Sequence, residues 1–77
     1  MDNYNPESHI NILAALGRNL KAARVSAGLT QQEVAARAGV GLAIFAQIES
    51  GCSDPDLRLL GALAEAVGCD AGELVNV

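Results

Sequence analysis

Gly28-Leu29-Thr30-Gln31-Gln32-Glu33-Val34-Ala35-Ala36-Arg37-Ala38-Gly39-Val40-Gly41-Leu42-Ala43-Ile44-Phe45-Ala46-Gln47-Ile48-Glu49-Ser50-Gly51 is the stretch whose reading decides the fold. Thr30 and Glu33 stand at capping-box spacing, with the Thr side chain placed to cap the backbone and Glu33 to reach back. They predict a helix opening at Thr30 and ending near Ala38, with Val34 and Ala35 pointing inward. Gly39 supplies the positive-φ turn that sets the next helix at an angle. That next helix is expected over residues 42–50, with Phe45 and Ile48 on its inward face. Its start is weak, because Gly41 stands where a Ser or Thr would cap better.

Helical signals continue on both sides. Leu13, Leu16, Leu20 and Ala23 recur at spacings of three and four, predicting a first helix over residues 10–27 that closes at Gly28. After a loop at Cys52-Ser53-Asp54, Pro55 stands as a first helical residue. Leu57, Leu60, Leu63, Ala64 and Val67 then share one face up to Gly68. Asp70 and Glu73 make a second capping box, opening a short fifth helix anchored by Leu74 and Val75. Residues 1–9 read as a flexible polar lead-in, and residues 10–77 as one domain.

Bulk composition agrees with an all-α fold. The chain has 77 residues, half of them apolar, with few aromatics and much alanine. Such a mixture suits short, closely packed helices better than sheets. The length allows one modest core and leaves no room for a second domain. No apolar run approaches a membrane span, and the polar start does not read as a signal peptide. The expected location is the cytoplasm, with Cys52 and Cys69 as small, partly buried thiols. With His9 as the one histidine, these cysteines make no recognisable zinc site. No metal and no cofactor is expected. No nucleophile–base pair and no phosphate-cradling glycine loop is present, so the chain does not read as an enzyme.

The blocks from Gly28 to Ala35, Ala38-Gly39-Val40, Ile48-Glu49-Ser50-Gly51, Pro55 and Ala64-Glu65-Ala66-Val67-Gly68 occur in order and at fitting spacing. In this combination the chain resembles the Cro/cI-type helix-turn-helix family, also called the XRE family, over about residues 16–75. The resemblance implies a compact five-helix, lambda-repressor-like helix-turn-helix domain that regulates transcription. It gives structural roles to Gly39, Phe45 and Ile48. It also matches Arg24 and Glu49 to a charged pair tying the first helix to the end of the third, a contact that orients more than it stabilises.

In the family the start of the second helix meets a DNA phosphate and the third helix enters the major groove. Carried over by position, Gln31 and Gln32 are the phosphate candidates, and Gly41, Leu42, Ala43, Ile44, Ala46 and Gln47 are the groove-facing positions. Here the chain departs from the pattern. Base edges are read by hydrogen-bonding side chains, and only Gln47 suits that role well. From Ala38 to Ser53 there is no Lys or Arg, and the loop that could touch phosphate brings Asp54 and Asp56. Acidic residues outnumber basic ones nine to five, the reverse of the basic footprint that drives DNA affinity.

Two functions follow. In the first, Leu42, Ala43, Ile44, Ala46 and Gln47 bind another transcription regulator and inhibit it. Small antiactivators controlling transfer of mobile genetic elements are similar in kind, at the level of fold. In the second, the chain is a DNA-binding repressor on a palindromic operator, with Gln31, Gln32, Arg37, Gln47 and Lys21 making the contacts. A homodimer through Leu74, Val75 and Val77 stays open beside the simpler packing of these residues onto the fourth helix.

Overall fold

The structure, a computed structural model, describes residues 6–76, with side chains from Ile12 onward. Five helices run in the order α1 (Pro6–Ser26), α2 (Gln31–Ala38), α3 (Leu42–Glu49), α4 (Leu57–Val67) and α5 (Ala71–Leu74), and no strand occurs among the described residues. α1 begins at Pro6 rather than at residue 10, so residues 6–9 of the expected lead-in are helical. Proline at a first helical position loses no hydrogen bond, because that N–H has no partner within the helix. Residues 1–5 and Val77 lie outside the described residues, and with Val77 goes part of the expected C-terminal contact.

One core joins all five helices. Leu16 and Leu20 of α1, Val34 and Ala35 of α2, Phe45 and Ile48 of α3, Leu60, Leu63, Ala64, Ala66 and Val67 of α4, and Leu74 of α5 form a continuous buried cluster. The inward faces read from helical periodicity are the ones that meet. Val40 packs against the cluster from the turn between α2 and α3. No polar or charged residue among those described is buried outright.

Two apolar expectations are corrected. Leu57 lies on the same face as Leu60 by spacing, yet it is 85% exposed. The cause is where α4 begins. Asp54-Pro55 does not start the helix; Asp56 does, its Oδ1 accepting the backbone N–H of Leu59 at 2.8 Å. Leu57 is thus the first residue of α4, one turn beyond the part of the helix that α1, α2 and α5 cover. Val75, expected as a second anchor of α5, is exposed as the residue after the helix, and Leu74 alone enters the core.

The α2–α3 turn follows the sequence closely. Gly39 has φ 72° and ψ 33°, and the backbone N–H of Val40 donates to the Ala35 carbonyl at 2.9 Å. This pairing satisfies carbonyls left over at the end of α2 and aims the chain into α3. Thr30 Oγ1 accepts from the Glu33 N–H at 3.0 Å, and the Glu33 carboxylate accepts from the Thr30 N–H at 2.8 Å, completing the capping box.

α1 and α3 meet almost backbone to backbone. A methyl group added at Gly17 would collide with the Glu49 carbonyl and stand 2.9 Å from the Ile48 carbonyl oxygen. Gly17 is therefore the point where α1 lets the end of α3 approach. Asn19, one turn along from Ala15, donates its amide to the Leu74 carbonyl at 2.9 Å and the Asn76 carbonyl at 2.7 Å, tying the C-terminal end to α1.

Candidate functional site

α3 buries one apolar stripe and leaves apolar side chains exposed at its two edges, Leu42 and Ile44 lying about 200° apart around the helix. Inward, Phe45 and Ile48 are fully buried. Outward, Leu42 is 47% exposed and Ile44 is 44% exposed, with Gly41, Ala43 and Gln47 also exposed and Ala46 half-buried. Among the described residues Ile12, Val25, Leu57 and Val75 are also exposed large apolar side chains, and α3 is the one element after α1 that carries two. The first turn of α3 carries no acid, its last turn no base, and Gly41 makes no side-chain cap bond. Glu49 is the one charged residue on α3, and it faces inward.

That glutamate lies at a junction of three helices. Arg24 Nε donates to Glu49 Oε2 at 2.6 Å and Arg24 Nη2 to Oε1 at 3.3 Å. Arg24 Nη1 donates to the Leu29 carbonyl at 2.9 Å. The charged pair expected from Arg24 and Glu49 is therefore formed, with side-chain exposures of 13% and 5%. Oε1 accepts a further bond from Gln31 Nε2 at 2.9 Å. A carboxylate so far removed from water needs these donors.

Two of the five residues considered as DNA contacts are bonded within the chain. Gln31 is half-buried and spends an amide N–H on Glu49. Arg37 turns away from α3, its Nη1 donating to the Ala66 carbonyl at 3.5 Å, near the negative end of α4. Gln32, Gln47 and Lys21 are exposed. Carboxylates occupy two helix N-termini that could otherwise attract phosphate. Asp56 caps α4, and Glu33 closes the box at α2, its pKa lowered first by its hydrogen bond to the Thr30 backbone.

The cysteines divide. Cys52 is exposed, not partly buried as expected, because it lies in the irregular segment after α3 with its thiol pointed at the Ser50 carbonyl. Cys69 is half-buried, and burial, then Glu73 and Asp70, push its thiol pKa up. Among the described residues no group of three or more His, Cys, Asp or Glu side chains is placed to hold a metal ion. None of the described helices is long and apolar enough to cross a membrane.

The arrangement of α2, the Gly39 turn and α3 within five helices is matched by known proteins. A family model described as a helix-turn-helix domain matches residues 15–76. This chain belongs to the Cro/cI-type helix-turn-helix regulators of transcription. An uncharacterised HTH-type transcriptional regulator, y4dJ, of Sinorhizobium fredii is 38% identical over 61 residues, covering 79% of each chain. Among solved structures, the restriction-modification controller protein C.AhdI from Aeromonas hydrophila superposes with a TM-score of 0.77 at 27% identity, over 80% of this chain and 94% of that one. The clp gene regulator ClgR from C. glutamicum gives a TM-score of 0.77 at 25% identity, over 82% of each. In helix-turn-helix regulators the second helix of the motif is the recognition helix, and in this chain α3 holds that position.

Sequence reasoning missed Gly17, Asn19 and the Gln31–Glu49 bond. An isolated glycine inside a helical pattern is a usable signal of close backbone approach, and Gly17 carried it. Neither the Asn19 bonds nor the Gln31 bond has a local signature, because their acceptors lie far along the chain.

Proposed function

We propose that this helix-turn-helix regulator acts as an antiactivator: the outward face of α3 docks on another transcription regulator and inhibits it. The observation that supports this most is the exposure of Leu42 and Ile44 on the recognition helix, in a stretch without Lys or Arg from Ala38 to Ser53. Apolar side chains can touch thymine methyls, but they do not discriminate the four base pairs by hydrogen bonding. Against protein, the same side chains remove apolar area from water on both partners. Ala43, Ala46 and Gln47 complete the contact. The site of action is the cytoplasm, and no catalytic step is part of this reading.

The alternative reading is an operator-binding repressor, probed through Gln31, Gln32, Arg37, Gln47 and Lys21 and working as a dimer. It is favoured by the solved relatives, whose names describe a controller protein and a gene regulator. The charge distribution opposes it. A protein that neutralises few phosphates gains little from counterion release.

Titration of isotope-labelled protein separates the two. One arm adds a duplex carrying the protein's own promoter; the other adds transcription regulators encoded at the same locus. The expected result is movement of α3 signals with a regulator and duplex binding no tighter than about 10⁻⁶ M, the non-specific range. A doubly substituted Leu42→Asp, Ile44→Lys protein that stays folded should lose regulator binding about tenfold or more, as removal of a central apolar anchor does. Salt-sensitive, sub-micromolar duplex binding with α3 shifts would establish the repressor instead, and unchanged regulation by the folded double variant would overturn docking through Leu42 and Ile44.

A further inference from the structure

α3 is held at both ends, and the two holds differ in kind. At its start the chain passes through Gly39 and Gly41, neither of which would bring an added Cβ within 4 Å of a neighbour. That end is a turn held by Val40 packed on the core, with no side-chain hydrogen bond at the start of α3. At its finish, Glu49 is gripped by side chains from two other helices: Arg24 of α1 and Gln31 of α2.

We infer that Gln31 is a positioning residue for α3: its amide, bonded to Glu49, fixes the far end of the recognition helix against the start of α2 and so sets how the exposed residues of α3 are presented. The consequence for docking rests on the proposed function; the bond and its effect on helix orientation do not.

The argument is geometric. The Arg24 guanidinium meets both carboxylate oxygens, which ties α3 to α1. It does not tie α3 to α2, because Arg24 reaches only the Leu29 carbonyl on that side, ahead of the helix. Gln31 is the first residue of α2 and Glu49 the last of α3. A bond between them closes the α2–turn–α3 unit at the end opposite Gly39. The angle between the two helices is then set at two points instead of one. Oε1 receives both Arg24 Nη2 at 3.3 Å and Gln31 Nε2 at 2.9 Å, so the shorter of its two bonds comes from Gln31. A hydrogen bond to a charged acceptor is stronger than one between neutral groups. The bond spends one of the two amide N–H donors of Gln31, so a phosphate contact, the role that resemblance alone gives it, would have to use the other.

The test uses the whole chain and no partner. Gln31→Met keeps the side-chain length and removes the donor. Gln31→Lys restores a donor of sufficient reach. Backbone N–H residual dipolar couplings report the orientation of α3 relative to α1 and α4. In Gln31→Met the α3 couplings should shift by more than those of α4 and α5, and the Arg24 Nε–H resonance should move. Gln31→Lys should bring both back toward the parent values. Unchanged α3 couplings in the Met variant, or a folded Lys variant that restores nothing, would overturn the inference. Should Gln31→Met fail to fold, the parent protein decides: nuclear Overhauser contacts between the Gln31 side-chain amide protons and the Glu49 Hγ protons are expected, and their absence with both sets assigned overturns it. Loss of regulator binding in the Leu42 and Ile44 variant, together with unmoved α3 couplings in Gln31→Met, would sustain the docking reading and remove this one.

Discussion

α2 and α3 are both eight residues long, and they solve the problem of being short helices in opposite ways. α2 is supported locally. It has a reciprocal cap at Thr30 and Glu33, an acid in its first turn, Arg37 in its last, and a left-handed glycine closing it. Its outer face is polar, and Val34 and Ala35 are its only buried residues. α3 has no side-chain cap, no acid in its first turn and no base in its last. An isolated helix of this length is marginal in water even with good propensity. α3 therefore exists because Phe45 and Ile48 are buried and Glu49 is gripped. The difference teaches what leaves each helix free to choose its surface. A helix stabilised from inside has no need of a polar exterior, and α3 uses that freedom to expose Leu42 and Ile44.

The comparison is broken most severely at Phe45. Phe45→Ala removes the largest fully buried side chain, and substitutions of this kind cost about 3–5 kcal/mol. Its neighbour Ile44, 44% exposed, should behave otherwise: Ile44→Ala should cost about 1 kcal/mol or less, since much of its area is in water already. Denaturant midpoints of the two variants check this directly. Similar losses at the two positions would mean that the outward face of α3 is part of the core.

The caps offer a milder contrast. Thr30→Ala removes the bond to the Glu33 N–H and should cost about 1 kcal/mol. Gly41→Ser should instead stabilise α3 by roughly a few tenths of a kcal/mol, the usual margin of serine over glycine at this position. Gly41 has φ −66° and open space where a Cβ would go, so the substitution meets no obstacle. Thermal midpoints should move in opposite directions. A loss in both would show that α3 is anchored so firmly by its interior that its start tolerates no new bond.

Legibility in the sequence followed the range of the interactions. Thr30, Glu33, Gly39, Asp70 and Glu73 act on neighbours within a turn, so their pattern places α2, its turn and α5 without coordinates. The inward faces of Leu16, Leu20, Phe45, Ile48, Leu60 and Leu63 were readable because burial follows helical period. Arg24 and Glu49 were paired by resemblance alone, since 25 residues separate them. Exposure at the helix ends was not readable. Leu57 and Val75 keep the right spacing but lie past the last element that could cover them. The outward side of α3 was legible as apolar composition, and the coordinates add that Leu42 and Ile44 do face out. What no pattern could show was that Gln31 faces in, toward a carboxylate 18 positions away.

The finest distinction between the two helices is electrostatic. The Glu33 carboxylate accepts the Thr30 N–H, which favours the ionised form and lowers its pKa below the ordinary value of 4.5. A carboxylate with a depressed folded pKa contributes stability that is present above its unfolded value and lost as pH falls through the folded one. Acid should thus loosen the start of α2 below that ordinary value, while the start of α3, where Gly41 offers no titratable cap, should not respond in the same window. Because Glu33 is fully exposed, solvent screens the effect and it should be the smallest of those considered. The amide signals of Thr30 and Phe45, followed through an acid titration, give the measurement. Thr30 should move with the Glu33 carboxylate and Phe45 should not. Thr30→Ala keeps the backbone N–H that is the larger cause and loses only the hydroxyl, so the Glu33 midpoint should rise part of the way and stay below its ordinary value; a midpoint that does not move would show that the hydroxyl adds nothing to the backbone bond.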